Sequence, residues 1–196
     1  MSYFKHPTSV VESDAIGADT KIWHFVHVRE GATIGRRCVI GKSAYVDADV
    51  TIGDDVKIQN FASIYKGVTL EDGVFIGPAV VFTNDMRPRA ALWDDARLIR
   101  TTVRTGASIG ANATILCGVV IGEYAMIGAG SVVTRAMPAF SLAYGNPARP
   151  YGYVCYCGEK LGQIFAENEC TVTYKCRCGR TVDIVKNRIP SIADGD

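Results

Sequence analysis

A large apolar side chain recurs at every sixth position along most of the chain. The run passes through Val10, Ile16, Ile22, Val28, Ile34, Ile40, Val46, Ile52, Ile58, Ile64, Leu70, Ile76 and Phe82, breaks, and resumes at Val103, Ile109, Ile115, Ile121, Ile127 and Val133. Four places after most of these comes a small or β-branched residue, such as Val26, Ala32, Cys38, Ala44, Ala125 and Ser131. Gly directly follows the apolar position at Gly17, Gly35, Gly41, Gly53, Gly77, Gly110, Gly122 and Gly128. A period of six is neither the 3.6 of a helix nor the two of an alternating strand. It predicts short strands joined by bends, with the large and the small residue facing inward. Gly is expected to ease the bend where backbones come close. Strands this short cannot bury their apolar side alone and must stack. Three hexads close one coil, and the run then divides into three interior ladders headed by Val10, Ile16 and Ile22. About six coils follow, a column on the order of 30 Å long.

Composition narrows the class. The chain has 196 residues, 48% hydrophobic and 21% charged, as in one folded domain with a small appendage. Lys+Arg 21 against Asp+Glu 20 leaves a net charge of +1, which removes the electrostatic footprint of a nucleic-acid binder. No apolar run is long enough to span a membrane, and the first residues lack the layout of a secretion signal. The expected setting is therefore the cytoplasm, where the seven Cys are thiols or metal ligands rather than disulfides.

Fifteen extra residues separate Phe82 from Val103 and should leave the column as an excursion over 83–102. Long excursions from rigid scaffolds are where chemistry tends to sit. This one holds Arg87, Arg89, Arg97 and Arg100, with Asn84 and Asp85 at its exit. Leu92 and Trp93 are expected to anchor it on a neighbouring subunit.

The Ile-Gly-X-X-Ala/Val-X hexads over 10–136 resemble the hexapeptide-repeat acyltransferases. That resemblance implies an all-β fold, a left-handed parallel β-helix assembled as a homotrimer; the hand comes from the family and not from the spacing. Within that class, Lys57-Ile-Gln-Asn-Phe-Ala-Ser-Ile-Tyr-Lys-Gly, Phe82-Thr-Asn-Asp with Pro88-Arg89, and Ile22-Trp-His-Phe-Val-His-Val are similar to bacterial sugar-nucleotide N-acetyltransferases. These act on UDP- or dTDP-linked amino sugars, and the likeness is greatest to those that acetylate UDP-2-acetamido-3-amino-2,3-dideoxyglucuronate. It implies an acetyl-CoA-dependent enzyme of surface-polysaccharide synthesis, with the nucleotide sugar at a subunit interface beside the excursion. Asn84 would lie near the reacting amine, and Asp85, Arg87 and Arg89 would join it in binding substrate. The closing stretch, through Tyr144-Gly-Asn-Pro-Ala-Arg149, resembles the coenzyme end of these enzymes. Small residues at Ala111, Gly128, Ala129 and Gly130 would let the pantetheine arm lie against backbone amides. Asn146 and Pro147 belong to the same segment, and Arg135 and Arg149 would pair with phosphates.

The residues also bear on the acceptor. A hydroxyl needs a general base, usually His, and the excursion contains none. An amine whose conjugate acid has a pKa of about 8 attacks unaided once oriented. N-acetylation is the favoured reading, with O-acetylation by His24 or His27 and a non-catalytic scaffold as alternatives. His24 and His27, three apart on a strand, would face opposite sides and could not share a metal.

Residues 151–196 form the expected appendage to a 1–150 acyltransferase domain. Tyr-Val-Cys-Tyr-Cys-Gly at 153–158 and Tyr-Lys-Cys-Arg-Cys-Gly at 174–179 repeat one frame. Paired knuckles of this kind supply four thiolates to a structural Zn²⁺, here Cys155, Cys157, Cys176 and Cys178, although a zinc ribbon usually has two residues between its cysteines. Cys170 is a spare thiol or a substitute ligand, and Cys38 and Cys117 are small buried thiols.

Overall fold

The computed structural model describes residues 2–92 and 94–186; Trp93 and the end of the expected appendage, 187–196, lie outside them. The hexads wind into a three-walled column. Its first wall stacks Phe4–Lys5, Lys21–Ile22, Val39–Ile40, Lys57–Ile58, Phe75–Ile76, Ser108–Ile109 and Met126–Ile127. The second stacks Val10–Val11, His27–Val28, Tyr45–Val46, Ser63–Ile64, Val81–Phe82, Thr114–Ile115 and Val132–Val133. The third stacks Thr33–Ile34, Thr51–Ile52, Val68–Leu70, Thr101–Val103 and Val120–Ile121. All neighbours within these stacks pair in parallel. From Lys21–Ile22 to Val132–Val133 the last residue of each strand points into the column and the one before it points out, whereas Lys5 in the first strand is exposed. Ile22, Ile40, Ile58, Ile64, Leu70, Ile76, Phe82 and Ile109 are fully buried, and so are the small residues Ala32, Ala62, Ala107 and Ser131.

Three features differ from the hexad pattern. The ladder on the second wall begins at Val11, not Val10: Val11 pairs with Val28, while Val10 pairs with His27 and is exposed. The first coil is one residue short, so the six-residue count slips there. At the other end the ladders continue past Val133 with Met137, bridged to Ile121, and Ala143, paired with Ile127. The bend itself is made two places beyond the repeated Gly. Asp19, Phe25, Arg37, Ser43, Asp49, Asp55, Phe61, Ala79, Asn112 and Tyr124, with Gly31, Gly67, Gly73, Gly106, Gly118 and Gly130, all have positive φ at a period of six. The repeated Gly serves close approach instead: a Cβ on Gly77 would sit 2.7 Å from the Ala111 amide nitrogen of the next coil.

The column closes with an antiparallel hairpin, Ser141–Gly145 against Ala148–Val154, and the short strand Lys160–Leu161. The strand Ala148–Val154 thus runs straight through the expected domain boundary at 150. Beyond it lies a separate antiparallel sheet, Gln163–Glu167, Thr171–Lys175 and Thr181–Val185. Its core is small: Tyr153, Cys155, Leu161, Cys176, Val182 and Ile184.

Candidate active site

The excursion leaves the second wall after Phe82 and returns at Thr101, already part of a third-wall strand, so it spans 83–100. Several ties hold it down. The Thr83 hydroxyl accepts from the Cys117 amide at 3.0 Å, and the Asn84 carbonyl accepts from the returning Ile99 amide at 3.0 Å. Leu98 and Ile99 cover two left-handed glycines of flanking coils, Gly67 and Gly118, where a Cβ would come within 3.1 Å of each side chain. Lys66 bridges Asp95, at the short 3-10 turn Asp95–Arg97, and Asp49 on the column. Asn84 is thereby fixed at both flanks while its side chain stays half-exposed.

Asp85 is engaged within the loop. Arg97 donates to it through Nε at 2.9 Å and Nη2 at 3.4 Å, and the Arg87 amide donates at 2.7 Å. Arg97 also donates to the Arg87 carbonyl. The Arg97 guanidinium, with the Arg87 amide, holds the Asp85 carboxyl below its ordinary pKa. Arg87 and Arg89 are exposed; the Arg89 guanidinium donates to the neighbouring Pro88 carbonyl at 3.0 Å, and the Arg89 carbonyl accepts from the Leu92 amide at 3.0 Å. Among the described residues the Asn84 and Arg87 side chains have no hydrogen-bond partner, whereas the Asp85 carboxylate is held within the loop.

The small residues assigned to coenzyme stack on another corner, between the first and second walls. The Gly130 amide donates to the Ala111 carbonyl at 2.8 Å, and a Cβ on Gly110 would lie 2.5 Å from the Ala129 amide nitrogen. Ala129, Gly130, Arg135, Asn146 and Pro147 are exposed, and Arg149 is half-buried with its guanidinium on the Ala148 carbonyl. Tyr144 and Tyr151 stack across the closing hairpin at 4.2 Å, a flat aromatic platform beside Asn146 and Pro147. Phe25 and Phe61 stand on the same corner, 58% and 56% exposed, with the positive φ that bulky residues rarely adopt.

The sequence profile described as bacterial transferase hexapeptide (six repeats) matches residues 15–48, 49–84 and 100–135, over half of the chain and on both sides of the excursion. The chain belongs to this hexapeptide transferase family. One relative, the dTDP-3-amino-3,6-dideoxy-alpha-D-galactopyranose 3-N-acetyltransferase of Aneurinibacillus thermoaerophilus, is 49% identical over 177 residues, 90% of this chain and 88% of its own. The bifunctional protein GlmU of Synechococcus sp. (strain CC9311) is 33% identical over 138 residues, but this chain spans only 28% of that protein. Two solved structures share the fold. One is a hexapeptide-repeat acetyltransferase of Vibrio cholerae bound to acetyl coenzyme A, with TM-score 0.53 and 24% identity, covering 63% of this chain and 70% of that one. The other is the acetyltransferase domain of PglB from Neisseria gonorrhoeae bound to acetyl coenzyme A, with TM-score 0.55 and 23% identity, covering 74% and 55%.

Against this hexapeptide column the histidines take definite places. They do not share a strand: His24 sits at a corner stacked on His6 at 3.6 Å, and His27 lies on the second wall, bonded to Glu12 at 3.0 Å. Neither lies in the excursion. The sequence shows Arg97 as a loop arginine but not its tie to Asp85; it gives no sign of Lys66 and Asp95, the other ionic tie of the loop, or of an outward network in which Asp47 accepts from Arg29 at 3.2 Å and from Tyr45 at 3.0 Å. Pairs 18 apart, such as Arg29–Asp47, Arg36–Asp54 and Arg37–Asp55, follow from the coil length.

In the appendage the four cysteines do come together. Sγ of Cys155 and Cys178 lie 3.6 Å apart, as do those of Cys157 and Cys176, and all four fall within 4.8 Å. They are placed to hold a metal ion. Cys38 and Cys117 are buried in the column and Cys170 is exposed, away from the cluster. Among the described residues no helix is long and apolar enough to cross a membrane.

Proposed function

We propose that this hexapeptide transferase moves the acetyl group of acetyl-CoA to the 3-amino group of a dTDP-linked 3-amino-3,6-dideoxyhexose, for bacterial surface polysaccharide. The relative at 49% identity over nearly its whole length carries this proposal, because its named activity is that transfer. The chemistry of the excursion agrees with it. The neutral amine attacks the thioester carbonyl carbon, the carbon–sulfur bond breaks, and the coenzyme thiolate takes the proton the nitrogen sheds. That sequence needs an oriented lone pair more than a base. Asn84 is the catalytic residue: its side-chain oxygen accepts a hydrogen bond from the amine without removing the proton. Asp85 acts through Arg97 as a positioning residue, and Arg87 and Arg89 meet the nucleotide diphosphate. Ala111, Ala129 and Gly130 line the pantetheine arm, with Arg135, Asn146, Pro147 and Arg149 at the coenzyme's phosphate end.

The assembly is a homotrimer with sites between subunits. Asn84 and the small-residue ladder occupy different corners of one coil, separated by a wall of about 16 Å at the strand rise. A threefold assembly brings the loop corner of one subunit to the small-residue corner of the next. The exposed Phe25 and Phe61 on that corner support such a contact. The setting is the cytoplasm, whose reducing poise suits seven unpaired thiols. Catalysis does not require the cysteine cluster. A free-thiol assay over a panel of UDP- and dTDP-linked amino sugars tests the function. Turnover is expected with dTDP-linked 3-amino sugars, and turnover restricted to 3-hydroxy sugars would overturn it.

A further inference from the structure

The appendage is too small to hold its own shape. Among the described residues its hydrophobic cluster has six buried members, and two of these are cysteines. Domains of this size usually need a metal or disulfides. The four thiols occupy two matching knuckles. In one, the Cys155 amide donates to the Glu159 carbonyl at 2.9 Å and the Gly158 amide to the Cys155 carbonyl at 2.9 Å. In the other, the Cys176 amide donates to the Arg180 carbonyl at 2.9 Å and the Gly179 amide to the Cys176 carbonyl at 3.0 Å. Gly158 and Gly179 share φ values of +90° and +89°, so the departure from the usual cysteine spacing leaves two superposable turns.

The knuckles belong to different sheets. Cys155 and Cys157 follow the strand Ala148–Val154 of the closing hairpin, and Cys176 and Cys178 join two strands of the separate three-stranded sheet. We propose that the four thiolates hold one Zn²⁺, which clamps that outer sheet to the end of the column. A tetrahedral zinc with bonds of about 2.3 Å separates its sulfurs by about 3.8 Å, close to the 3.6 Å of both cross-knuckle pairs. Four soft donors select zinc or iron over magnesium or calcium. The ion with four thiolates carries a net charge of −2, and Lys160, Lys175 and Arg177, outnumbering the one carboxylate Glu159, line the cavity beside Cys176. Those cations offset the charge. Each thiol loses its proton to solvent on binding, and no oxidation is involved.

The clamp rests on the four cysteines being metal ligands, and two measurements separate these claims. The first is metal content of the purified full-length protein, with zinc released by a mercurial reagent and read by a chromophoric chelator. One zinc per chain is expected in the wild type, with less than a tenth of that in Cys157→Ser and in Cys178→Ser. Iron in its place, four freely titrating thiols without metal, or a mass 4 Da low from two disulfides would each overturn the zinc site. The second is hydrogen–deuterium exchange on wild type before and after zinc removal, which avoids reliance on a variant's folding. Amides of Thr171–Lys175 and Thr181–Val185 should exchange at least tenfold faster without zinc, recover on its return, and leave Lys57–Ile58 unchanged. Unaltered exchange in a protein shown to have lost its zinc would overturn the clamp and leave the metal site standing.

Discussion

Replacing Arg97 with Ala removes both side-chain donors to Asp85 and the tie to the Arg87 carbonyl in one step. The remaining ties stay: Lys66 with Asp95, Ile99 with the Asn84 carbonyl, and the two apolar contacts on Gly67 and Gly118. The loop should therefore remain docked while the Asn84–Asp85 exit loses its fixed geometry. Misplacement of a reacting group by about 1 Å costs roughly 10²-fold. Since the loop's other ties survive, kcat for the sugar should fall about 10- to 10²-fold, with KM for acetyl-CoA within twofold. Arg97→Lys keeps the charge but not the fork, and should recover part of the loss. The pH behaviour has a definite sign. Asp85 is depressed in the folded state by Arg97, so its contribution is complete above the ordinary carboxylate pKa of about 4. It is lost only as pH falls through the lower folded value. Arg97→Ala raises that value, so loss of stability on the acid side should begin at higher pH in chemical denaturation. Steady-state kinetics by thiol release, varying each substrate in turn, reads the kcat and KM effects. Unchanged kcat, or an equal loss of acetyl-CoA affinity, would refute the positioning role.

Asn84→Ala should lower kcat about 10²-fold or more with acetyl-CoA affinity little changed, and Asn84→Asp should also move the pH optimum upward by favouring the ammonium form; near-normal Asn84→Ala with a collapse in His27→Ala would favour base catalysis. Gly77→Ala forces apart two coils and should destabilise by about 1–3 kcal/mol in chemical denaturation. Sedimentation at micromolar concentration should show a trimer, and Phe61→Glu should shift it to monomer with loss of activity; a fully active wild-type monomer would contradict the interfacial site.

Much of the column was legible because a coil of fixed length turns sequence separation into spatial neighbourhood. Ile22, Ile40, Ile58 and Ile76 stack as their 18-residue spacing dictates. The pattern failed at the ends, where coils are shortened: Val11 replaces Val10, and Met137 follows Val133 after four residues. The bend was misplaced because a side chain's size does not reveal backbone sign, and Phe25 and Phe61 take positive φ as readily here as the glycines do. The excursion was visible as a break, yet its ties were not. Arg97 and Asp85 have no periodic relation, and their pairing exists only because the loop folds back. The cysteine cluster was readable from its repeated frame, since the shared Cys-X-Cys-Gly pattern makes matching turns with Gly158 and Gly179 at φ of +90° and +89°.

The most direct measurement is the mass and chemical stability of the product formed from acetyl-CoA and a dTDP-linked 3-amino-3,6-dideoxyhexose. Transfer to nitrogen predicts one added acetyl group, about 42 Da, as an amide that survives mild alkali and hydroxylamine. An alkali-labile ester, or no product from any 3-amino sugar nucleotide under conditions that convert a 3-hydroxy one, would contradict the account.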